Sequence, residues 1–194
     1  MDPALQIVII VFCTIMSAYF SATETAFSTF NRIRMKNLAE KGNKKATLVL
    51  KLADNYDTLI STILIGNNIV NILASSMATL LFVDLLKNGN LAAFSSGIST
   101  AVMTILILTF GEIAPKTVAK KIPESFAMFA APLINLLLII FTPLSFIFKL
   151  LQKFLGRIFK SNEDQGMTEE ELISIIEEAE EEGDFDKEES TLIK

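Results

Sequence analysis

The chain has 194 residues, of which 51% are hydrophobic and 20% charged, and its mean hydropathy of +0.48 is high for a soluble protein. The net charge of −5 combines two parts of opposite sign. Residues 1–162 carry 15 Lys and Arg against 8 Asp and Glu, whereas residues 163–194 carry 2 against 14. The basic residues flank apolar blocks, which argues against a nucleic-acid-binding surface. With no histidine and one cysteine, Cys13, the chain lacks an internal disulfide and the commonest zinc and copper ligand.

Four long apolar blocks dominate the sequence, at about residues 4–30, 59–86, 91–115 and 124–148. A helix needs roughly 20 residues to cross the hydrocarbon core of a bilayer, and each block is long enough. The N-terminus lacks the basic residues of a cleaved signal peptide. We therefore predict an all-α integral membrane protein of a plasma or inner membrane that crosses the bilayer several times.

Basic residues between the blocks predict the orientation of the first three spans. The loop after the first block carries seven of them, and three more follow the third block, whereas the loop after the second block contains only Lys87. Because basic loops remain in the cytoplasm, we predict three transmembrane helices per subunit with the N-terminus outside. The basic residues are Arg32, Arg34, Lys36, Lys41, Lys44, Lys45 and Lys51, then Lys116, Lys120 and Lys121.

The fourth block is basic on both sides and contains Pro132 and Pro143. A complete crossing would place the basic residues after it outside the cell, against the positive-inside rule. We therefore predict juxtamembrane helices that are broken at the prolines and lie along the cytoplasmic face, with a kinked fourth span as the alternative. Residues 36–52 form a further candidate interfacial helix.

The acidic C-terminal part reads as an amphipathic helix. Thr168 and Glu171 form a capping box, and apolar residues at helical spacing follow. We divide the chain into a transmembrane domain with a juxtamembrane belt at residues 1–160 and an acidic cytoplasmic helical segment at 161–194. A second helix that begins near Asp186 meets the end of the sequence, so we expect a soluble domain to follow.

Each of the first three blocks contains polar residues that are costly in lipid. In the first and second blocks they repeat every three or four residues and therefore share one helix face. A carboxylate at membrane depth costs at least ~2.5–3.5 kcal/mol, so these groups must face the bundle interior or water. The residues are Ser17, Ser21, Glu24 and Ser28; Asn67, Asn68 and Asn71; and, in the third block, Gly111 and Glu112.

The stretch FGEIAPK at residues 110–116 ends the third block. Pro115 has no N–H, so the carbonyl of Gly111, four residues earlier, is predicted to lack its helical hydrogen bond. That carbonyl would lie beside the Glu112 carboxylate at a helix break, where the helix dipole also favours a cation. Lys116 follows Glu112 by one turn and is placed to pair with it.

All of these groups are hard oxygen donors, which suit Mg²⁺, Ca²⁺ or Na⁺ and suit zinc or copper poorly. Serine and asparagine also join membrane helices by hydrogen bonds, and packing alone would explain the serine stripe. Because three helices carry such groups at overlapping depths, we predict an ion site rather than packing contacts.

Three motifs, FSATETAFS at 20–28, IGNNIVNI at 65–72 and FGEIAPKTVA at 110–119, occur in this order. Together they resemble the membrane domain of the CorC/CNNM (cyclin M) magnesium transporter family, from about residue 5 to the end of the chain. The acidic segment is similar to the acidic helical bundle of that family. Members usually continue into a pair of CBS domains that bind ATP-Mg²⁺, which this sequence does not include.

The resemblance implies a homodimer with three spans per subunit, a belt of juxtamembrane helices and a central dehydrated cation site. It implies Mg²⁺ efflux as the function, with Na⁺ as an optional coupling ion. Matched by motif, the metal ligands come from Ser21, Glu24, Ser28, Asn67, Asn68, Asn71, Gly111 and Glu112. In our assignment Ser17, Pro115 and Lys116 support the site.

The alternative function is a membrane scaffold or Mg²⁺ sensor that regulates a separate transporter. Both functions fit the acidic segment, whose 14 carboxylates repel one another and would be relieved by bound Mg²⁺. We do not expect an enzyme, because the sequence has no histidine and neither a G-x-S-x-G nor an H-E-x-x-H motif.

Overall fold

A computed structural model describes residues 2–89 and 91–158, with side chains described as far as Phe141. Within these ranges every regular element is a helix, which confirms the predicted all-α fold. The predicted acidic segment, residues 161–194 with its capping box, lies outside the described residues. The helices are α1 Pro3–Thr29, α2 Arg32–Glu40, α3 Lys44–Ala53, α4 Tyr56–Leu86, a 3₁₀ turn Ala92–Phe94, α5 Ser95–Leu106, a π-helical segment Ile107–Ile113, α6 Ala114–Lys121 and α7 Pro123–Ile158.

Polar caps divide the predicted interfacial helix at residues 36–52 into two. The side chains of Asn31 and Asn43 accept hydrogen bonds from backbone N–H groups in the first turns of α2 and α3. Between the two helices Gly42 has a φ of +86°, a left-handed conformation that glycine adopts without strain. The two short helices carry six basic residues and Lys41 lies between them, so we call this side of the bundle the basic end.

Four helices are long and apolar enough to cross a membrane, namely α1, α4, the continuous helix at 92–121, and α7 over Pro123–Phe141. We predicted three spans with the N-terminus outside. Since four helices are candidates for spans, that count and orientation remain predictions. The predicted helix breaks at Pro132 and Pro143 are wrong, because both residues lie inside α7. A proline removes one backbone hydrogen bond, and the remaining turns of a helix of 36 residues hold it together.

The helices α1 and α4 pack closely near the basic end. Gly66 of α4 lies against the ring of Phe20, and a Cβ atom at Gly66 would be 2.4 Å from Phe20 Cζ. A side chain at position 66 would therefore force the Phe20 ring to move. The ring of the neighbouring Tyr19 packs edge-on against that of Phe20, and the Tyr19 hydroxyl donates to the carbonyl of Ala130 in α7 at 2.8 Å. These contacts lie within the unit that ends at Ile147.

A smaller apolar cluster joins α1, α4 and α5 further from the basic end. It consists of Cys13, Ala74, Ala78 and Met103, all buried, with partly buried aliphatic residues around them. We call these four residues the apolar layer. It lies on the same face of α1 as Ser17, because Cys13 precedes Ser17 by four residues.

Candidate cation site

Three predicted polar residues meet where α1 crosses α4. Ser17 Oγ donates to Asn67 Oδ1 at 3.0 Å, and Asn71 Nδ2 donates to the same oxygen at 3.4 Å. Ser17 is fully buried, and both asparagines are half-buried. We call Ser17, Asn67 and Asn71 the oxygen cluster. The sequence predicted that these residues share the interior faces of two helices, and the structure brings them into contact.

Two buried oxygens beside this cluster are left open. Ser21 Oγ and Asn71 Oδ1 have no hydrogen-bond partner within the described part of the chain. Buried polar atoms are normally paired, and an unpaired one costs about 1–3 kcal/mol. Because α1 and α4 are antiparallel, Ser21 extends the polar surface toward the basic end and Asn71 extends it away from that end. Both oxygens have unshared lone pairs, so a cation or a hydrogen-bond donor would stabilise them.

The third helix approaches the cluster through its π-helical segment. The N–H of Ala114 donates to the carbonyl of Thr109, five residues back, instead of to that of Phe110. Pro115 has no N–H to donate to Gly111. Within the described helix, therefore, the carbonyls of Phe110 and Gly111 both lack the donor that an α-helix would supply four residues later.

The predicted helix break at Pro115 is wrong, since helical backbone continues through α6 to Lys121. The physical reason is that one extra residue is accommodated in a wider turn, which keeps the chain helical while changing the hydrogen-bond register. The Phe110 carbonyl was missed by the sequence reasoning, because the α-helical spacing points to Gly111 alone. π-helical turns frequently occur at functional sites.

Gly111 lies directly against the oxygen cluster. A Cβ atom added to this buried glycine would be 2.9 Å from Ser17 Oγ and 3.3 Å from Ser17 Cβ. A side chain at this position would displace Ser17. Glycine therefore brings the backbone of the π-helical segment to the Ser17–Asn67 hydrogen bond.

The two carboxylates have different surroundings. Glu24 Oε2 forms an ion pair with Lys116 Nζ at 3.1 Å, with 30% and 39% of the respective side chains exposed. The predicted pairing of Lys116 with Glu112 is therefore wrong, because α6 packs against α1 and the lysine reaches across to it. Glu112 is half-buried and has no ion pair with any residue that the structure describes.

Two predicted ligands lie away from the cluster. Ser28 is exposed and lies 2.9 Å from the Tyr56 hydroxyl. Asn68 is also exposed, and its Nδ2 donates to the carbonyl of Leu64 in its own helix at 2.9 Å. The face of α4 that carries Asn67 and Asn71 is interior, and Asn68 is rotated away from it by its position one residue later.

The described residues contain no group of three or more His, Cys, Asp or Glu that could hold a metal ion. The site instead combines neutral side-chain oxygens and backbone carbonyls with two flanking carboxylates. Magnesium is commonly held by one or two carboxylates with further oxygen ligands, and softer metals prefer nitrogen or sulfur. The donor set therefore suits a hard cation.

Long apolar helices around a buried set of oxygens define a multi-pass membrane protein with a candidate cation site. The chain belongs to the CNNM family: it matches the family described as cyclin M transmembrane N-terminal domain over residues 8–189. This family is one of membrane proteins and not of enzymes, and the match confirms the resemblance seen in the three motifs.

Individual relatives extend the comparison. The chain is 40% identical over 175 residues to a UPF0053 protein of Haemophilus influenzae, covering 89% of this chain and 40% of the relative. It is 38% identical over 168 residues to UPF0053 inner membrane protein YfjD of Escherichia coli, covering 84% and 38%. A polyamine export protein of Haemophilus influenzae is 27% identical over 198 residues, covering 97% and 46%. The chain thus spans roughly two-fifths of the length of these relatives.

Proposed function

We propose that this chain is the ion-binding core of a magnesium transporter of the efflux type. The carrying observation is the contact of Ser17 of α1 with Asn67 and Asn71 of α4, where Asn71 Oδ1 is buried without a partner and Gly111 of the third helix lies against Ser17. In the proposed site the cation replaces the hydrogen bond between Ser17 and Asn67. It then binds the oxygens of the cluster together with a carbonyl of Phe110 or Gly111.

The carboxylates supply the charge that this neutral set lacks. Ser21 lies one turn from Ser17 toward the basic end, and Glu24 follows on the same face. Glu112 directly follows Gly111 in sequence. We propose that Ser21, Glu24 and Glu112 line the route between the cluster and the basic end. An entering Mg²⁺ would compete with Lys116 for Glu24, because both are cations and the ion pair is partly exposed.

Close packing favours a small ion as the cargo. One relative is named as a polyamine export protein, and a polyamine is a long organic cation. At the cluster, however, not even a methyl group fits between Gly111 and Ser17. We therefore favour a dehydrated metal ion, and spermidine serves as the competing cargo in the test.

The proposed assembly is a homodimer in an inner or plasma membrane with the C-terminus in the cytoplasm. Several apolar helices and the inner-membrane relative support multi-pass membrane localisation. The exposed basic residues on α2 and α3 support a cytoplasmic location for that end. Na⁺ is the proposed coupling ion.

A pair of asparagines on α4 gives a matched test. Asn71→Leu removes a buried open oxygen while keeping the side-chain size, whereas Asn68→Leu removes an exposed amide that bonds within its own helix. By titration calorimetry in detergent, we expect Asn71→Leu to weaken Mg²⁺ binding by at least about tenfold, a loss of ~1.4 kcal/mol. Asn68→Leu should remain within about twofold of wild type.

Measurement of ion flux distinguishes a magnesium transporter from a scaffold or sensor and from a polyamine transporter. Liposomes that contain only this chain and a Mg²⁺-sensitive dye should show Mg²⁺ flux that Asn71→Leu abolishes and Asn68→Leu retains. Mg²⁺ binding without flux would favour the scaffold or sensor function. Spermidine transport without Mg²⁺ transport, or equal binding by both variants, would contradict the proposed function.

A further inference from the structure

The basic residues of α2, α3 and the turn between them fall into two groups. Arg32 forms an ion pair with Asp54, and Arg34 lies 3.4 Å from Glu124 of α7. The lysines of the same segment are all exposed, and none of them has an ion pair within the described part of the chain. These lysines are Lys36, Lys41, Lys44, Lys45 and Lys51. Their charges are therefore open to a partner from outside the chain.

Contacts to the start of α7 bring two more lysines to the same surface. Glu124 Oε1 accepts a hydrogen bond from the Asn31 N–H at 3.4 Å, so α7 begins beside α2. One turn later, Asn43 Nδ2 donates to Met128 Sδ at 3.6 Å, which places the turn between α2 and α3 against α7. The last two residues of α6, directly before this start, are exposed lysines. We call Lys41, Lys44, Lys45, Lys120 and Lys121 the lysine surface.

The lengths of the neighbouring helices place the basic end at the level of lipid headgroups. The candidate spans α1 and α4 have 27 and 31 residues, so they are about 40 and 46 Å long at 1.5 Å per residue. A bilayer with its headgroups is about 40–45 Å thick. Residues 30–31 join α1 to α2, and residues 54–55 join α3 to α4. Because two residues reach at most about 7 Å, α2 and α3 lie close to the headgroups.

Large apolar side chains are exposed beside these lysines. Ile33 of α2 is 74% exposed, and Ile122, between α6 and α7, is 49% exposed. Ile33 precedes Lys36 by three residues and therefore lies on the same helix face. Helices that bind a membrane surface place apolar side chains at the boundary of headgroups and acyl chains and basic ones among the headgroups. A soluble anion would pair with the lysines and leave both isoleucines in water.

From these observations we propose that the lysine surface binds anionic phospholipids of the adjoining leaflet, with Ile33 and Ile122 at the boundary of headgroups and acyl chains. Lysine ammonium groups donate hydrogen bonds to phosphate oxygens, and basic residues next to a membrane are attracted to anionic lipids. Within residues 30–53 the only acidic residue is Glu40, so positive charge is in excess. The binding does not depend on which ion the chain transports.

Lipid selectivity is measured with spin-labelled lipids in bilayers that contain the whole chain. Electron paramagnetic resonance separates lipids held at the protein surface from those that move freely. The comparison is between spin-labelled phosphatidylglycerol, which is anionic, and spin-labelled phosphatidylcholine, which has no net charge. We expect the wild type to prefer phosphatidylglycerol at least about fivefold at low salt. High salt should lower the preference, because it screens exposed charges.

Substitutions locate the binding on the molecule. Lys41→Gln, Lys44→Gln and Lys45→Gln combined should lower the preference to about twofold or less, whereas arginine at all three positions should retain it. Lys87→Gln, at the opposite end of α4, should also retain it. The proposal would be overturned by equal preference for both lipids in the wild type, by full preference in the triple glutamine variant, or by the same loss in Lys87→Gln. Displacement of the lipid by soluble glycerol phosphate would also overturn it, since the surface would then recognise phosphate alone.

Discussion

Replacing Gly111 with alanine would add a methyl group at the most crowded point of the candidate site. The new Cβ would lie 2.9 Å from Ser17 Oγ, 3.3 Å from Ser17 Cβ and 3.5 Å from Ile107 Cγ2. The first distance is shorter than real Cβ contacts, so either Ser17 rotates or the π-helical segment moves away from α1. Added methyl groups in a packed interior typically cost about 1–3 kcal/mol. Rotation of Ser17 would also break its 3.0 Å hydrogen bond to Asn67, worth about 1 kcal/mol.

Binding and stability should both change in Gly111→Ala. If Ser17 and the adjacent carbonyls are ligands, we expect the Mg²⁺ affinity to fall by at least about tenfold, equal to ~1.4 kcal/mol. Titration calorimetry in detergent measures this loss. Thermal melting followed by circular dichroism at 222 nm measures stability, since the chain has no tryptophan for fluorescence. The melting temperature should fall by several degrees.

Gly97 provides the matched control on the same continuous helix. No described atom lies within 4 Å of a Cβ placed there, so Gly97→Ala should keep wild-type Mg²⁺ affinity. Alanine in a helix interior is favoured over glycine by roughly 0.5–1 kcal/mol, and this variant should be slightly more stable. In a Ser17→Ala background, Gly111→Ala should cost less than alone, because the closest atom is gone. Wild-type binding and melting in Gly111→Ala would refute the close approach as the basis of the site.

Three further variants test neighbouring parts of the structure. Pro115→Ala adds an N–H that can donate to the carbonyl of Phe110 or Gly111, so Mg²⁺ affinity should fall several-fold without loss of helix content; unchanged affinity would show that these carbonyls are not ligands. Lys116→Met releases Glu24 from its ion pair, and calorimetry should show Mg²⁺ binding tightened several-fold. Weaker binding would instead mean that the lysine positions the carboxylate. Gly66→Ala should lower the melting temperature by several degrees, since its Cβ would lie 2.4 Å from the Phe20 ring, and adding Phe20→Leu should restore much of the loss.

The polar residues of α1 and α4 could be predicted from the sequence because their helical spacing is local information. Ser17, Asn67 and Asn71 repeat on interior faces, and lipid excludes them from exterior ones. The approach of Gly111 to Ser17 from another helix is not local information and could not be predicted. Asn68 was predicted as a ligand and stays a prediction; the structure places it on the exposed face of α4, where its Nδ2 donates to the carbonyl of Leu64.

Features that depend on three-dimensional register could not be predicted in this way. Local spacing pairs Lys116 with Glu112. Because α6 packs on α1, Lys116 instead forms an ion pair with Glu24. The π-helical segment has no spacing signature, so the proline was read as a break and the Phe110 carbonyl was not considered. The same limit applies to the prolines of α7, where a long helix retains enough hydrogen bonds to continue.

The central claim is that the oxygens of Ser17, Asn67 and Asn71, with a carbonyl of the π-helical segment, hold the transported Mg²⁺. Anomalous diffraction from crystals grown in Mn²⁺, a scattering substitute for Mg²⁺, tests it most directly. We predict a peak in which side-chain and carbonyl oxygens lie at about 2.1 Å from the metal, as for Mg²⁺, with the hydrogen bond between Ser17 and Asn67 opened. A Mn²⁺ peak at Glu24 or on the exposed acidic surface alone, with that hydrogen bond intact, would contradict the account.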